Sequence, residues 1–363
     1  MLTHGNLLSN AGACLEVQGY GPDDLILSWL PYTHIYARTC DHYTALLAGV
    51  TLALAESPET LVERIAETQP THLASVPRFY EKVLTAVASP DPEVTAKRLR
   101  HVFGPRIDWM SSGGAPLPVP IAEAFHAAGL KLMQGYGLTE TSPVISFNSK
   151  ANNKLGTVGR PLPGVEVKVA EDGELLTRGP HVMKGYWKNP RATAETIKDG
   201  WLYTGDLAKI DSDGYLSITG RKKEMMVLSN GKKVAPTNIE GLLVTDPCID
   251  QAVVIGEGRN FLTALVVPHW GNVKAELKLD GDPESLASHP AVTELLTRRC
   301  EQALADVSRA EQVKKFTVLP RPFSIEADEL TVSLKMRRNV ILEHNKERIE
   351  GMYHEGGGSY DAG

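Results

Sequence analysis

Between Asp41 and Tyr136 short apolar runs alternate with amphipathic segments, and this alternation constrains the fold more than any other feature. The runs are Thr51–Ala55, Thr71–Val76, Asp108–Ser112 and Lys131–Gly135. Between them lie Glu59–Thr68, Arg78–Ala86 and Pro120–Ala128, whose apolar residues recur at helical spacing. Strand, helix, strand, helix is the pattern of a parallel sheet with crossover helices. Such sheets bind ligands beyond the carboxyl ends of their strands. Two glycine turns, Ser111–Pro116 and Gly135–Gly137, fall at those ends and are expected to face one crevice.

After Thr141 the texture changes to alternating residues and hairpin turns, as in Val165–Val169, the turn Glu171-Asp172-Gly173 and Glu174–Thr177. A further turn, Asp211-Ser212-Asp213-Gly214, leads through Tyr215–Thr219 to Gly220-Arg221-Lys222-Lys223-Glu224. Beyond it come a strand at Met225–Leu228, a helix opening near Pro236, strands near Gln251–Ile255 and Leu262–Val267, and a helix over Ala291–Val307. A chain of 363 residues exceeds one ordinary core. The expected class is α/β: a large domain over 1–219, with a parallel sheet and an antiparallel subdomain from about 145 to 219, then a small α+β domain over 220–363. The glycine-rich tail Gly356–Gly363 is expected to fray.

Composition removes several function classes. With 38 basic and 44 acidic residues the net charge is −6, and there is no polybasic arm, which argues against a general nucleic-acid binder. Cys14, Cys40, Cys248 and Cys300 are too scattered for a zinc site or a disulfide framework and fit a reducing cytosol. The longest apolar run, about Ala45–Ala55, contains Gly49 and is too short to span a bilayer. Met1–Asn6 lacks the charged start and apolar core of a signal peptide, so a cytoplasmic location is expected.

Within Gln134-Gly135-Tyr136-Gly137-Leu138-Thr139-Glu140-Thr141 are glycines that allow close backbone approach, an aromatic face, two hydroxyls and a carboxylate. That set suits a nucleotide and a hydrated Mg²⁺; the plainer reading is a strand-to-loop turn with a helix cap at Thr139. Ser111–Pro116 could wrap a base edge through its backbone. Asp206, in Trp201–Leu207, could accept from two ribose hydroxyls, or simply be a turn aspartate. Arg221 could add a charge-assisted bond, or be a surface ion-pair partner. Lys335 could neutralise charge developing between a carboxylate and an α-phosphate, or be solvated near a helix start.

Six ordered segments together resemble the adenylate-forming acyl-CoA synthetase superfamily. They are Gly-Gly-Ala-Pro-Leu from Gly113, Tyr-Gly-Leu-Thr-Glu-Thr from Tyr136, Gly-Tyr-Trp-Lys-Asn-Pro over Gly185–Pro190, Tyr-Thr-Gly-Asp-Leu over Tyr203–Leu207, Gly-Arg-Lys-Lys-Glu from Gly220, and the Lys335 segment. Ser28–Ile35, Val76–Lys82 and Met226–Pro236 resemble the long-chain fatty acyl-CoA synthetase branch. The resemblance implies a ligase that forms acyl-AMP from ATP and a carboxylate, then transfers the acyl group to coenzyme A.

The resemblance also implies residue roles. Gly113, Gly114, Ala115 and Pro116 line the adenine site; Tyr136 stacks on the base, with Gly137 beside it; Thr139 bonds phosphate or acyl oxygen. Glu140 ligates Mg²⁺, Asp206 and Arg221 hold the ribose, and Lys335 serves adenylation. Lys223 is the hinge about which the small domain turns, exchanging Lys335 for the loop carrying Ser229, Asn230 and Gly231. His34 lies near the acyl and pantetheine channel.

Departures accompany the matches. Val332 and Ser333 stand where the family has proline and threonine. Only Met1-Leu2 precede Thr3–Leu7, where the family has a Ser/Thr/Gly-rich phosphate loop ending in Pro-Lys-Gly. A truncated ligase with weakened ATP use is therefore expected, Met1 being an internal methionine. The alternatives are a non-catalytic remnant that binds AMP or acyl-adenylate, and a synthetase of the same fold acting on another acid. Self-association through exposed apolar faces is expected, and a long-chain substrate would favour peripheral contact with the inner membrane face.

Overall fold

The computed structural model describes residues 1–331 and 336–354. Chain contacts divide it into two compact units, Met1–Lys222 and Lys223–Gly363.

The first unit is built on a seven-stranded sheet of order β2-β1-β3-β4-β5-β6-β7. Its strands are β1 (Leu25–Ser28), β2 (Thr51–Leu54), β3 (His72–Ser75), β4 (Trp109–Ser112), β5 (Leu132–Gly137), β6 (Val144–Phe147) and β7 (Arg160–Pro161). β1 to β5 run parallel; β6 and β7 join antiparallel. Side chains alternate across the sheet, as period two requires. Met110 and Leu132 enter a core with Leu61, Ile65, Tyr80, Phe103 and Phe125, whereas Trp109 and Met133 enter a second core with Cys14, Cys40, Phe147 and Leu162.

Helices Leu61–Thr68, Pro77–Val87, Pro92–Phe103 and Val119–Ala127 supply the first core, and helix His4–Gln18 covers the second. Helix Leu61–Thr68 shows the rule: Leu61 and Ile65, one turn apart, are fully buried, while Glu63, Arg64 and Glu67 form ion pairs on the outer side. Each such burial is worth about 1.5–3 kcal/mol. Proline at the first turn fixes the start of three of these helices, and Asp91 caps Pro92–Phe103.

A second sheet pairs β8 (Glu166–Val169), β9 (Glu174–Arg178), β10 (Ile197–Lys198), β11 (Trp201–Ile210) and β12 (Leu216–Arg221), with β12 running beside β11. The antiparallel subdomain thus opens later than the expected residue 145. β6 and β7 complete the first sheet because Gly137 allows a tight β5–β6 hairpin: a Cβ there would lie 1.9 Å from the Pro143 carbonyl oxygen. β12 likewise carries the first unit past Thr219, to Arg221.

The second unit has a hairpin of β13 (Met226–Val227) and β14 (Lys233–Val234) and a sheet of β15 (Ile249–Ile255), β16 (Leu262–Pro268) and β17 (Val313–Val318). Val254 and Ala264 face helices Pro236–Leu243 and Pro290–Ala303, while Val253 and Leu265 face helices Arg338–His344 and Lys346–Tyr353. No helix among the described residues is long and apolar enough to cross a membrane.

Candidate functional site

Because β1 to β5 are parallel, the segments following β1, β3, β4 and β5 all emerge at one edge of the sheet. His34 and Tyr36 follow β1, Gly113–Pro116 follow β4, and Leu138–Thr141 follow β5. The two glycine turns therefore share an edge, as the alternation in the sequence requires.

Gly113 is buried and donates its N–H to the Ser75 carbonyl at 3.2 Å, whereas Gly114, Ala115 and Pro116 are exposed. Gly114 has φ +81°, with nothing within 4 Å of a built Cβ. The turn is anchored by Tyr36, which sequence reasoning passed over: its hydroxyl pairs with Ser111 Oγ at 2.9 Å, and its ring lies 3.1 Å from where a Gly113 Cβ would sit. His34 caps the short helix that carries Tyr36, its Nδ1 accepting from the Tyr36 N–H at 3.2 Å.

Past β5 the chain forms a single 3-10 turn over Thr139–Thr141. Thr139 is not its cap: Leu138 takes that position, and Thr139 is exposed. Thr141 is buried and fastens the turn, its Oγ1 accepting from the Leu138 N–H at 2.9 Å. Glu140 is half-buried, its Oε1 accepting from the Tyr186 hydroxyl at 2.9 Å and its carbonyl from the Met183 N–H at 2.8 Å. Tyr186 gave no signal of its own beyond lying within the quoted Gly185–Pro190 segment.

Tyr136 joins the two sheets. Its ring packs against Val158, Leu175, Ala208 and Leu216, and its hydroxyl donates to Asp206 Oδ2 at 2.5 Å. Burial, reinforced by the Asp206 charge, pushes the phenol well above its ordinary pKa, so it stays a donor. Asp206 is 3% exposed, and its other oxygen accepts from Arg221 Nε at 2.7 Å across the β11–β12 ladder. Both Asp206 oxygens thus already have protein partners, one of them the Arg221 expected beside it; each oxygen keeps a further lone-pair direction for a ligand.

Ser229, Asn230 and Gly231 form the exposed β13–β14 turn of the second unit. Ser229 Oγ donates to Asn260 Oδ1 at 2.6 Å, Asn230 Oδ1 accepts from the Lys232 N–H at 3.0 Å, and Gly231 takes φ +79°. Lys223 is exposed and opens that unit. Lys335 lies outside the described residues.

Among the described residues no group of three or more His, Cys, Asp or Glu side chains converges as a metal cage. A cation at Glu140 would take its remaining ligands from water and substrate oxygens, a donor set that suits Mg²⁺.

Comparison with known proteins places two stretches of the chain in known families. Residues 1–187 fit the AMP-binding enzyme family model, and residues 223–356 fit that of the AMP-binding enzyme C-terminal domain. The chain is 35% identical over 377 residues to the long-chain-fatty-acid–CoA ligase FadD15 of Mycobacterium bovis, covering 91% of this chain and 62% of that protein. It is 29% identical to the peroxisomal long chain acyl-CoA synthetase 7 of Arabidopsis thaliana, with 98% and 59% covered. The fold superposes on ATP-bound MatB of Rhodopseudomonas palustris with TM-score 0.74 and 26% identity, covering 96% of this chain and 65% of that one. The chain therefore spans about three-fifths to two-thirds of the length of these relatives. With two family models matched in order along it, the chain belongs to the AMP-binding enzyme family of adenylate-forming proteins.

Proposed function

We propose that the chain binds an adenine nucleotide at the carboxyl edge of the first sheet and takes part in ATP-dependent ligation of a long-chain fatty acid to coenzyme A. The observation that carries the reading is the Tyr136–Asp206–Arg221 cluster: a buried carboxylate with a phenol and a guanidinium on its two oxygens, the phenol itself set between Gly135 and Gly137. Fixed donors and acceptors of this kind orient a ribose without reorganising when it arrives. In this reading Gly113–Pro116 and Gly137 flank the base, Tyr136 offers it a ring face, and Asp206 and Arg221 hold the ribose.

Thr139 and Glu140 lie one turn further along the same segment. The exposed Thr139 hydroxyl suits a phosphate or acyl oxygen, and Glu140, oriented by Tyr186, suits Mg²⁺. A bound Mg²⁺ would neutralise phosphate charge as pyrophosphate leaves. Lys335 is assigned the charge between carboxylate and α-phosphate, Lys223 the hinge, Ser229–Gly231 the coenzyme A side, and His34 the acyl and pantetheine channel. The acyl class rests on one relative named for a long-chain fatty acid and another named for long-chain acyl-CoA. Lipid substrates of that length favour work at a membrane surface.

The test supplies the two halves separately. With fatty acid, ATP and Mg²⁺, pyrophosphate release reports adenylation; with supplied acyl-AMP and coenzyme A, thioester formation reports transfer. Lys335→Ala is expected to lower the first at least 100-fold and leave the second within about threefold. Equal loss in both halves would remove the role given to Lys335, and acyl-AMP binding without either product would leave only a nucleotide-binding module.

A further inference from the structure

We propose that Glu174 is a positioning residue for Asp206: its carboxylate closes a hydrogen-bonded ring that holds the bulge presenting Asp206 and ties it to Lys222, where the chain leaves the first unit. The inference rests on the nucleotide reading of Asp206 given above.

The ladder between β9 and β11 is interrupted where Asp206 sits. Tyr203 pairs with Leu176 and Leu207 with Glu174, so Thr204, Gly205 and Asp206 together oppose Leu175. Bulges of this kind re-aim a side chain and leave backbone groups without ladder partners. Gly205 makes the bulge possible with φ +73°. Two amides that the ladder no longer serves find side-chain acceptors instead: the Gly205 N–H donates to Glu174 Oε1 at 2.9 Å, and the Asp206 N–H donates to Thr204 Oγ1 at 3.1 Å. Thr204 is fixed in turn by donating to the Leu175 carbonyl at 2.7 Å.

Glu174 does more than satisfy one amide. Its Oε2 accepts from Lys222 Nζ at 2.9 Å, and the Lys222 N–H donates to the Gly205 carbonyl at 2.8 Å. Carboxylate, Gly205 peptide groups, Lys222 amide and Lys222 ammonium thereby form a closed circuit. Asp172 adds a second acceptor for the ammonium at 2.6 Å. Glu174 is 6% exposed, a depth at which a carboxylate persists only with a cation and donors to hold it. The circuit flanks the working pair on both sides, because Gly205 precedes Asp206 and Lys222 follows Arg221. Displacing either flank shifts the Asp206 carboxylate relative to Arg221 and to the Tyr136 hydroxyl.

The test compares AMP with 2′,3′-dideoxy-AMP, which lacks the diol that Asp206 is assigned, on the whole chain by calorimetry. Amide hydrogen exchange at Gly205 is followed in parallel without nucleotide. Glu174→Gln and, as a half-exposed second route, Lys222→Met are each expected to weaken AMP about tenfold and to speed exchange at Gly205 about tenfold, while affinity for the dideoxy analogue is unchanged. Equal loss for both ligands, or unchanged exchange at Gly205, overturns the positioning role. A wild-type chain that binds neither ligand overturns the nucleotide reading instead; exchange then decides the ring alone, faster exchange in Glu174→Gln keeping it and unchanged exchange removing it.

Discussion

Asp206 has a donor on each oxygen, and the two differ in kind. Arg221 brings a charge at the surface, while Tyr136 brings a neutral hydroxyl from a half-buried ring. Tyr136→Phe keeps the ring and removes only the hydroxyl, so it is expected to weaken AMP roughly three- to tenfold in a calorimetric titration, the range of one ordinary hydrogen bond. A second buried carboxylate behaves differently. Asp41, bonded by Ser28 Oγ at 2.6 Å, is raised by burial from 3.8 to about 7. A raised acid favours the folded state while protonated: its contribution is full below pH 3.8 and lost as pH rises through about 7. His72 and His181, lowered by burial from 6.5 to about 4, act in the opposite sense, their contribution present above pH 6.5 and lost as pH falls through about 4. Comparing variant with wild type isolates the aspartate. Asp41→Asn is expected to raise Tm relative to wild type at pH 8 by more than at pH 5; a difference that does not change with pH would contradict the burial argument.

At the scale of elements, the hairpin between β5 and β6 decides where Thr139 and Glu140 stand. The Pro143 carbonyl crosses Gly137 closely, so Gly137→Ala must push the two strands apart, costing about 1–3 kcal/mol or more and shifting Thr139 and Glu140 with it. Chemical denaturation of the variant measures the first effect, and a parallel loss of AMP affinity the second. Strands β2, β3, β4 and β5 and the helices Leu61–Thr68, Pro77–Val87 and Val119–Ala127 were legible because apolar runs and helical spacing survive in the sequence, whereas helix Pro92–Phe103 was not among the expected segments. β1 was not, although Leu25–Leu27 is an apolar run between Gly21–Asp24 and Pro31; its short length hid it among loop residues. Helix His4–Gln18 was also missed, since its polar and apolar residues do not separate cleanly around the axis and Gly5 and Gly12 interrupt it. Tyr36, Tyr186 and Glu174 lay beyond sequence reasoning for a different reason. Each acts on a residue far away in the chain, Ser111, Glu140 and Gly205 respectively, and no local pattern marks such a pair.

At the scale of the whole molecule, helices cover both faces of the first sheet, yet one edge stays open. β2 is an edge strand, Leu54 on it is 63% exposed, and Leu46 on the preceding helix is 68% exposed. An open edge beside apolar side chains invites pairing with another chain. Concentration-dependent association is therefore expected in sedimentation, and Leu54→Lys should reduce it; a monomer at all concentrations would contradict this. The order of the motifs was readable along the whole chain and the two glycine turns were expected at one crevice, but the direct bond between Tyr136 and Asp206 was not. Asp206 and Tyr136 lie 70 positions apart and meet only because a bulge in β11 turns the carboxylate toward β5. Whether that meeting is a nucleotide site is decided by calorimetric titration of the full chain with AMP, wild type against Asp206→Asn. Saturable one-to-one binding is expected, weakened at least tenfold in the variant while Tm stays within a few degrees; equal affinities in the two chains would remove Asp206 from the site.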